Sequence, residues 1–326
     1  MFEGFAKVWT PVTLAKKLKN KPLPVMLAGE KLVFFRGKDG KAAALIDRCP
    51  HRGVELSRGK ITTDGCLECP FHAWRFDGTG RACEIPLNPD AKKERLSATA
   101  LATRELGGLL WVYTAPGIED TGEPTVPDAL TMPGVARNYL EIEWKAHWTR
   151  AMENMLDSPH VPFLHKATIG KFVRPQMREG STMHVEWTDT EYGGRTTSRI
   201  DDHTDTGAYL DFYKPNIMVL NIPIPNKLFR MHSICVPVGP QAVRMIIVGA
   251  RTFARASILN PIFNRQNLKI ALEDQAIVES SFPAEIPPAV DEKSVRTDRA
   301  TLQFRKYYYG TLKPEPTPKH SLNVVP

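Results

Sequence analysis

Two short runs carry the residues best suited to metal or redox chemistry: Cys49-Pro50-His51 and, after 17 intervening residues, Cys69-Pro70-Phe71-His72. Each supplies one thiolate and one imidazole. By ligand count the set could hold one zinc ion or a centre of two irons. Zinc fingers usually place both cysteines on one element and both histidines on another, whereas here the two types alternate. The alternation suits a 2Fe-2S centre in which each run gives one ligand to each iron. Cys66, Cys83 and Cys235 read as buried thiols. Five cysteines form an odd set, which favours metal ligation in a reducing compartment over a disulfide framework.

A second constellation lies in Glu153-Asn154-Met155-Leu156-Asp157-Ser158-Pro159-His160-Val161-Pro162-Phe163-Leu164-His165. On a continuous helix Asp157 and His160 stand about 60° apart, and His165 about 140° from His160. The two histidines therefore converge only if the helix breaks between them, and Pro162 is expected to break it. Two such histidines with a distant carboxylate make the facial triad that holds non-haem Fe(II) with open positions for dioxygen. Helical spacing over 264–281 offers Glu273, Asp274 and Glu279 as that carboxylate. Asp274 shares a face with Ile270, Ala271, Ile277 and Val278 and is expected to point inward, where a positive partner must receive it. Glu273 shares its face with Lys269 and is expected in solvent. His147, His184, His203, His232 and His320 form no further spaced set.

The first pair of runs resembles the Rieske proteins, whose pattern is Cys-x-His, a gap, then Cys-x-x-His. The disulfide-forming cysteines of respiratory Rieske proteins are replaced here by Val54 and Phe71. Cys69-Pro70-Phe71-His72-Ala73-Trp74 is instead similar to the Cys-Pro-Tyr-His-Gly-Trp form of oxygenase Rieske domains, with Phe and Ala as departures. The second run resembles the Glu-Asn-x-x-Asp-x-x-His, four residues, His motif of Rieske non-haem iron oxygenases. That resemblance implies Cys49, His51, Cys69 and His72 on a 2Fe-2S cluster, and His160, His165 and Asp274 on Fe(II). It makes Asp157 a bridge from His160 to His72 of a neighbouring subunit, hence a homotrimer. Asn154 is either a residue supporting the ligands or a polar core residue.

The elements that must position these groups divide in two. Short β-type runs between Gly, Pro and Asp turns fill Lys7 to Tyr113, and a stretch with four prolines and two glycines follows at 115–133. Beyond it the pattern predicts strands near 139–144, 183–187, 209–213, 217–222, 231–236 and 243–250, with helices at 147–156 and 264–281. The resemblance implies an α+β fold: an all-β Rieske domain over 1–120, then a helix-grip (START-like) catalytic domain with an antiparallel sheet over 121–326.

Composition removes several classes. With 326 residues, 42% hydrophobic and 24% charged, the chain is globular rather than disordered or fibrous. No apolar stretch approaches the roughly 18 residues of a membrane span, and no secretory leader is read, so a cytoplasmic location is expected. The net charge of +7 is dispersed, without a nucleic-acid-binding motif. Arg48, Arg52, Arg58, Lys60, Arg75 and Arg81 flank the first runs and could face an acidic electron donor. Lacking a flavin or GxGxxG signature, the chain needs a ferredoxin and/or NAD(P)H-dependent reductase to supply electrons. The short length and the 299–307 segment resemble the monooxygenase branch with pheophorbide and chlorophyllide a oxygenases and aromatic O-demethylases. This implies a terminal oxygenase that hydroxylates or oxidatively demethylates an apolar ring compound with O2. A ring-dihydroxylating dioxygenase, a Rieske electron carrier and a zinc-stabilised binding module are the alternatives.

Overall fold

The computed structural model describes residues 1–118, 120–202 and 207–314. His203 and His320, and most of the proline-rich tail expected to be loose, lie outside the described residues. The first part of the chain is built from β1 (Trp9–Leu14), β2 (Leu23–Leu27), β3 (Glu30–Arg36), β4 (Ala42–Ile46), β5 (Lys60–Ile61), β6 (Leu67–Glu68), β7 (Arg75–Phe76), β8 (Ala82–Glu84), β9 (Ala100–Leu101), β10 (Thr103–Leu106) and β11 (Leu109–Tyr113). They form three antiparallel sheets, β1-β11-β10, β2-β3-β4-β9 and β5-β6-β7-β8.

The sheet containing β3 and β4 is a wall between two cores. In a strand, successive side chains leave on opposite faces. Leu32 and Phe34 of β3, with Ala44 and Ile46 of β4, enter the large core of the molecule. Val33 and Phe35, with Ala43 and Leu45, enter a smaller core that also holds Cys49 and Cys69. Both faces are covered, so these strands read as apolar runs rather than as alternation.

The second part comprises β12 (Ala136–Trp144), α1 (Trp148–Leu156), α2 (Val161–Leu164), β13 (Met183–Thr190), β14 (Gly193–Ile200), β15 (Tyr209–Tyr213), β16 (Ile217–Asn221), β17 (Phe229–Gly239), β18 (Ala242–Arg251), α3 (Asn260–Val278) and α4 (Arg299–Tyr307). Its seven strands make one antiparallel sheet, β12-β18-β17-β16-β15-β14-β13. The expected α+β architecture, with small antiparallel sheets followed by a large one carrying helices, is what the chain adopts. The large core also takes Phe2, Phe5 and Leu109 to Val112 from the N-terminal part; Phe5 meets the edge of Trp148 on α1 at 5.1 Å.

Strand β14 escapes the sequence pattern because Gly-Gly-Arg-Thr-Thr-Ser-Arg-Ile shows no apolar alternation. Its Gly194 leaves room for the Trp187 indole of the paired strand, which would lie 1.9 Å from a Cβ at that position.

Helix α1 begins at His147, whose Nδ1 accepts from the Thr149 amide at its N-cap, and buries Trp148, Ala151, Met152 and Leu156 at helical spacing. Burial lowers the His147 pKa to about 4, which keeps the cap neutral near pH 7. Helix α3 packs along β12, and its buried stripe is Asn267, Ala271, Asp274 and Val278. Buried Arg251 fixes α3 in place. It donates to Asn138 Oδ1 (2.8 Å) and Asn260 Oδ1 (2.7 Å), while Asn138 donates to Asn264 at 2.8 Å.

Helices α1 and α4 are joined by an enclosed ionic network. Arg305 binds both Glu153 and Glu292, and Arg150 binds Glu292 at 2.7 Å. The Arg305 and Glu153 side chains are only 8% and 12% exposed, so neither charge has solvent to fall back on. Arg305→Ala is expected to destabilise the chain by about 3 kcal/mol, because it removes the closest cation from the enclosed Glu153 carboxylate, while Glu292 keeps Arg150 and access to solvent. A urea titration checks this, and a loss below about 1 kcal/mol would mean that water replaces the guanidinium.

Candidate metal centres

The two cysteine–histidine runs fold into matching turns. In the first, the Cys49 amide donates to Val54 O (2.8 Å) and the Gly53 amide to Cys49 O (2.9 Å). In the second, the Cys69 amide donates to Trp74 O (2.8 Å) and the Ala73 amide to Cys69 O (3.1 Å). The residue four after each cysteine adopts positive φ, +73° at Gly53 and +55° at Ala73. Glycine takes that conformation without steric cost, so Ala73 carries about 1–2 kcal/mol of local strain that a glycine would not.

The turns bring the four residues together at one end of the smaller core. Cys49 and Cys69 are buried, His51 is half-buried and His72 is exposed. The two imidazoles have centroids 4.7 Å apart, and Trp74 stacks on His51 at 4.5 Å and nearly parallel. Burial pushes the Cys49 thiol up to about 11, so a thiolate there needs a cation to offset it. Burial, with His72 and Arg52 nearby, holds His51 below its ordinary pKa and therefore in the neutral, ligating form. No three of these four ligand atoms gather within 4.8 Å of one another, as a single tetrahedral ion would require.

Of the flanking basic residues, Arg48, Arg52 and Arg81 are exposed, and the other three are engaged in ion pairs. Arg58 binds Glu55, Lys60 binds Glu68, and Arg75 binds both Glu68 and Glu84.

Among the described residues, one group does gather ligand atoms within 4.8 Å: His160, His165 and Asp274. The chain reaches this arrangement by a different route from the expected one. Helix α1 ends at Leu156 and its C-cap Asp157 is extended (ψ 122°); Pro159, which has no amide hydrogen and would clash with the carbonyl four residues before it, could not have continued the helix. The break thus falls before His160, not at Pro162. Pro162 instead starts the single turn of α2, which His160 and His165 bracket.

Each histidine is gripped from behind. Asp157 Oδ2 accepts from the His160 amide and faces His160 Nδ1, both at 2.9 Å. Glu273 Oε2 faces His165 Nδ1 at 2.7 Å and accepts from the Thr168 hydroxyl at 2.7 Å. The expectation that Glu273 meets solvent is therefore wrong. Loop 165–168 folds over that flank of α3 and leaves the Glu273 side chain 22% exposed.

The front nitrogens converge on one oxygen. Asp274 Oδ1 lies 3.1 Å from His165 Nε2 and 3.6 Å from His160 Nε2, yet it has no hydrogen-bond partner. Both Asp274 and His165 are buried, and His160 is half-buried. Burial opposes protonation of His165, but Asp274 and Glu273 outweigh it and raise the pKa. A buried carboxylate oxygen without a donor, facing two imidazole nitrogens, is a donor set that a divalent cation would satisfy. Asn154 is half-buried on the last turn of α1, with an unpartnered Nδ2.

On the large sheet Leu210, Leu220 and Met231 are half-buried, whereas Ile234 to Val236 and Met245 to Val248 are packed core. No described helix is long and apolar enough to cross a membrane.

Comparison with known proteins bears on both centres. Residues 8–99 match the Rieske [2Fe-2S] domain, and residues 144–313 match the vanillate O-demethylase oxygenase C-terminal domain. The chain belongs to the Rieske non-haem iron oxygenases. Members of this family carry a 2Fe-2S cluster and a catalytic non-haem Fe(II), and they receive electrons from a ferredoxin or reductase.

Among Rieske oxygenases, the oxygenase subunit of phthalate 4,5-dioxygenase from Pseudomonas putida is 30% identical over 71% of this chain, a match that covers 56% of the relative. The chain therefore spans little more than half of that protein. The methylxanthine N3-demethylase NdmB of Pseudomonas putida is 29% identical, covering 92% of this chain and 87% of the relative. The structure of NdmA from Pseudomonas putida CBB5 superposes with a TM-score of 0.79 at 24% identity, over 93% of this chain and 89% of that one.

Proposed function

We propose that this chain is a terminal oxygenase that uses O2 and electrons from a ferredoxin or reductase to place one oxygen atom into an apolar ring compound, by hydroxylation or oxidative demethylation. In this reading residues 1–120 form the electron-receiving unit, with the cluster on Cys49, His51, Cys69 and His72. Residues 121–326 form the catalytic unit, with iron on His160, His165 and Asp274. The observation that carries it is the donor-less Asp274 Oδ1 facing both Nε2 atoms at 3.1 and 3.6 Å. Bound Fe(II) would supply open coordination positions at which dioxygen meets substrate.

The chain's own residues prepare that site. Asp157 and Glu273 take the Nδ1–H of His160 and His165, which fixes both tautomers with the Nε2 lone pairs forward. Thr168 holds Glu273 in turn. Burial of His165 and Asp274 keeps bulk water from the rear of the site, while half-buried His160 leaves its front accessible. The spread of the four N-terminal ligand atoms favours a two-iron cluster over a single zinc ion. Exposed His72 suits contact with Asp157 of a neighbouring subunit, in a homotrimer.

The vanillate O-demethylase-type C-terminal domain and the NdmB likeness support monooxygenation, while the phthalate relative keeps dihydroxylation as the second reading. The test combines iron analysis with isotope labelling. About three irons per chain are expected, against about two for a pure electron carrier. Single turnover of ring compounds under labelled dioxygen should place a single labelled oxygen in the hydroxylated ring or, for demethylation, in the formaldehyde released. Two labelled oxygens would establish dihydroxylation, and a colourless zinc protein would end the oxygenase reading.

Glu273→Ala tests the support behind His165. Freed from its carboxylate, the ring loses both its tautomer and its orientation, and Fe(II) affinity should drop about 10–100-fold. Anaerobic Fe(II) titration followed by dialysis measures this, with the cluster spectrum as an internal control. Unchanged retention would show that Thr168 and packing suffice to hold the imidazole.

A further inference from the structure

The N-terminal part contains a second pair of cysteines that the proposed cluster does not use. Cys66 is buried just ahead of β6, and Cys83 is half-buried on β8. Their sulfurs lie 2.6 Å apart. The pairing reverses part of the expectation for these residues: they are not two separate buried thiols, and Cys83 retains access to solvent.

Two features hold the pair in register. Cys66 closes a tight turn with Thr62, its amide donating to Thr62 Oγ1 at 3.1 Å and its carbonyl accepting from the Thr62 amide at 2.8 Å. Cys83 falls at an irregularity in the β7–β8 pairing, where Arg75 faces Glu84 but Phe76 faces Ala82. Such a bulge re-aims the side chain of its extra residue. Between the two cysteines in sequence lies the whole second ligand turn, Cys69 to Trp74.

We propose that Cys66 and Cys83 are a redox modification site, a reversible disulfide that staples the loop carrying Cys69 and His72. The oxidant is a low-molecular-weight disulfide such as oxidised glutathione. The Cys83 thiolate, the more accessible of the two, attacks one sulfur of that disulfide and releases one glutathione thiol. Cys66 then attacks the Cys83 sulfur and displaces the second. The protein loses two protons and two electrons, and both appear on two molecules of reduced glutathione. Excess reduced glutathione runs the exchange backwards. The product ties β6 to β8 around the ligand turn, so cluster retention depends on the thiol–disulfide poise of the surroundings. This last consequence rests on the assignment of Cys69 and His72 to the cluster; bond formation itself does not.

The experiment uses the holoprotein, incubated anaerobically with oxidised or reduced glutathione, alkylated and digested with trypsin. Peptide 61–75 should become linked to peptide 82–92, with fragmentation assigning the bond to Cys66 rather than Cys69, and two glutathione thiols should be released per chain. Cluster absorbance under a fixed excess of chelator should then decay on the order of tenfold more slowly in the oxidised protein than in the reduced one. Cys83→Ser and, separately, Cys83→Ala should abolish both the linkage and the difference in decay. A missing crosslink, or a glutathione adduct that stays on Cys83, overturns the modification site. A correct crosslink with equal decay rates overturns the staple. A protein without a cluster spectrum that still forms the crosslink would contradict the cluster assignment and leave the disulfide standing.

Discussion

Asp274→Ala is expected to give a coloured protein that keeps about two irons per chain and forms no product. The argument is electrostatic. Asp274 is 4% exposed and its Oδ1 has no donor, so the wild-type side chain is costly to bury until a cation neutralises it. Alanine removes the cost and the ligand together. His160 and His165 stay gripped by Asp157 and Glu273, so the pocket keeps its shape but loses its anionic ligand. Fe(II) affinity should fall by more than about 100-fold, beyond what loss of a supporting carboxylate costs. Product formation should fall by at least about a thousandfold, the several kcal/mol that a bound metal typically supplies. The metal-free variant should melt no lower than metal-free wild type. Iron content, labelled-product analysis and thermal melting read the three effects. Undiminished Fe(II) binding by the variant would mean that another carboxylate completes the site.

Asp157→Ala should impair both metal holding and charge delivery while sparing the cluster. Asp157 Oδ2 engages both the amide and the ring of His160, at 2.9 Å each. Without it the turn after α1 loses its cap and the His160 imidazole can rotate. If Asp157 also reaches His72 of a neighbouring subunit, the link between the two centres is cut as well. The expected variant has an unchanged cluster spectrum, iron retention lowered by about tenfold or more, and product per electron delivered lowered by about 100-fold or more. Reductive titration of the cluster, followed by a single turnover with a ring substrate, measures this. Normal product yield would remove the bridging role, and a trimer that falls apart would show that Asp157 acts in assembly.

The chemistry of both centres was legible because the ligand types and their spacing are local. Cys49-x-His51, Cys69-x-x-His72 and the pair His160 and His165 sit on short turns, and the inward face of Asp274 follows from a 3.6-residue period. What lay beyond reach was non-local. Glu273 looked solvent-facing from the helix alone, since the sequence does not show that loop 165–168 folds across it. The end of α1 at Leu156 was legible, but a break between His160 and His165 was placed at Pro162 because proline inside a run reads as a stop. The chain already leaves the helix at Asp157, and Pro162 begins a new turn. Cys66 and Cys83 meet across β7, a pairing that depends on the register of three very short strands. Strand β14 gave no signal because its conformation is imposed by its neighbours, not by its own residues.

The sheet of β3 and β4 has a further consequence. Neighbouring residues on one strand serve different interiors, Phe34 the larger and Phe35 the one beside the cysteine turns. A party wall of this kind cannot be withdrawn from one room alone. Heat should therefore dismantle the molecule in a single calorimetric step, and the cluster-bearing half should not come away as a detachable module.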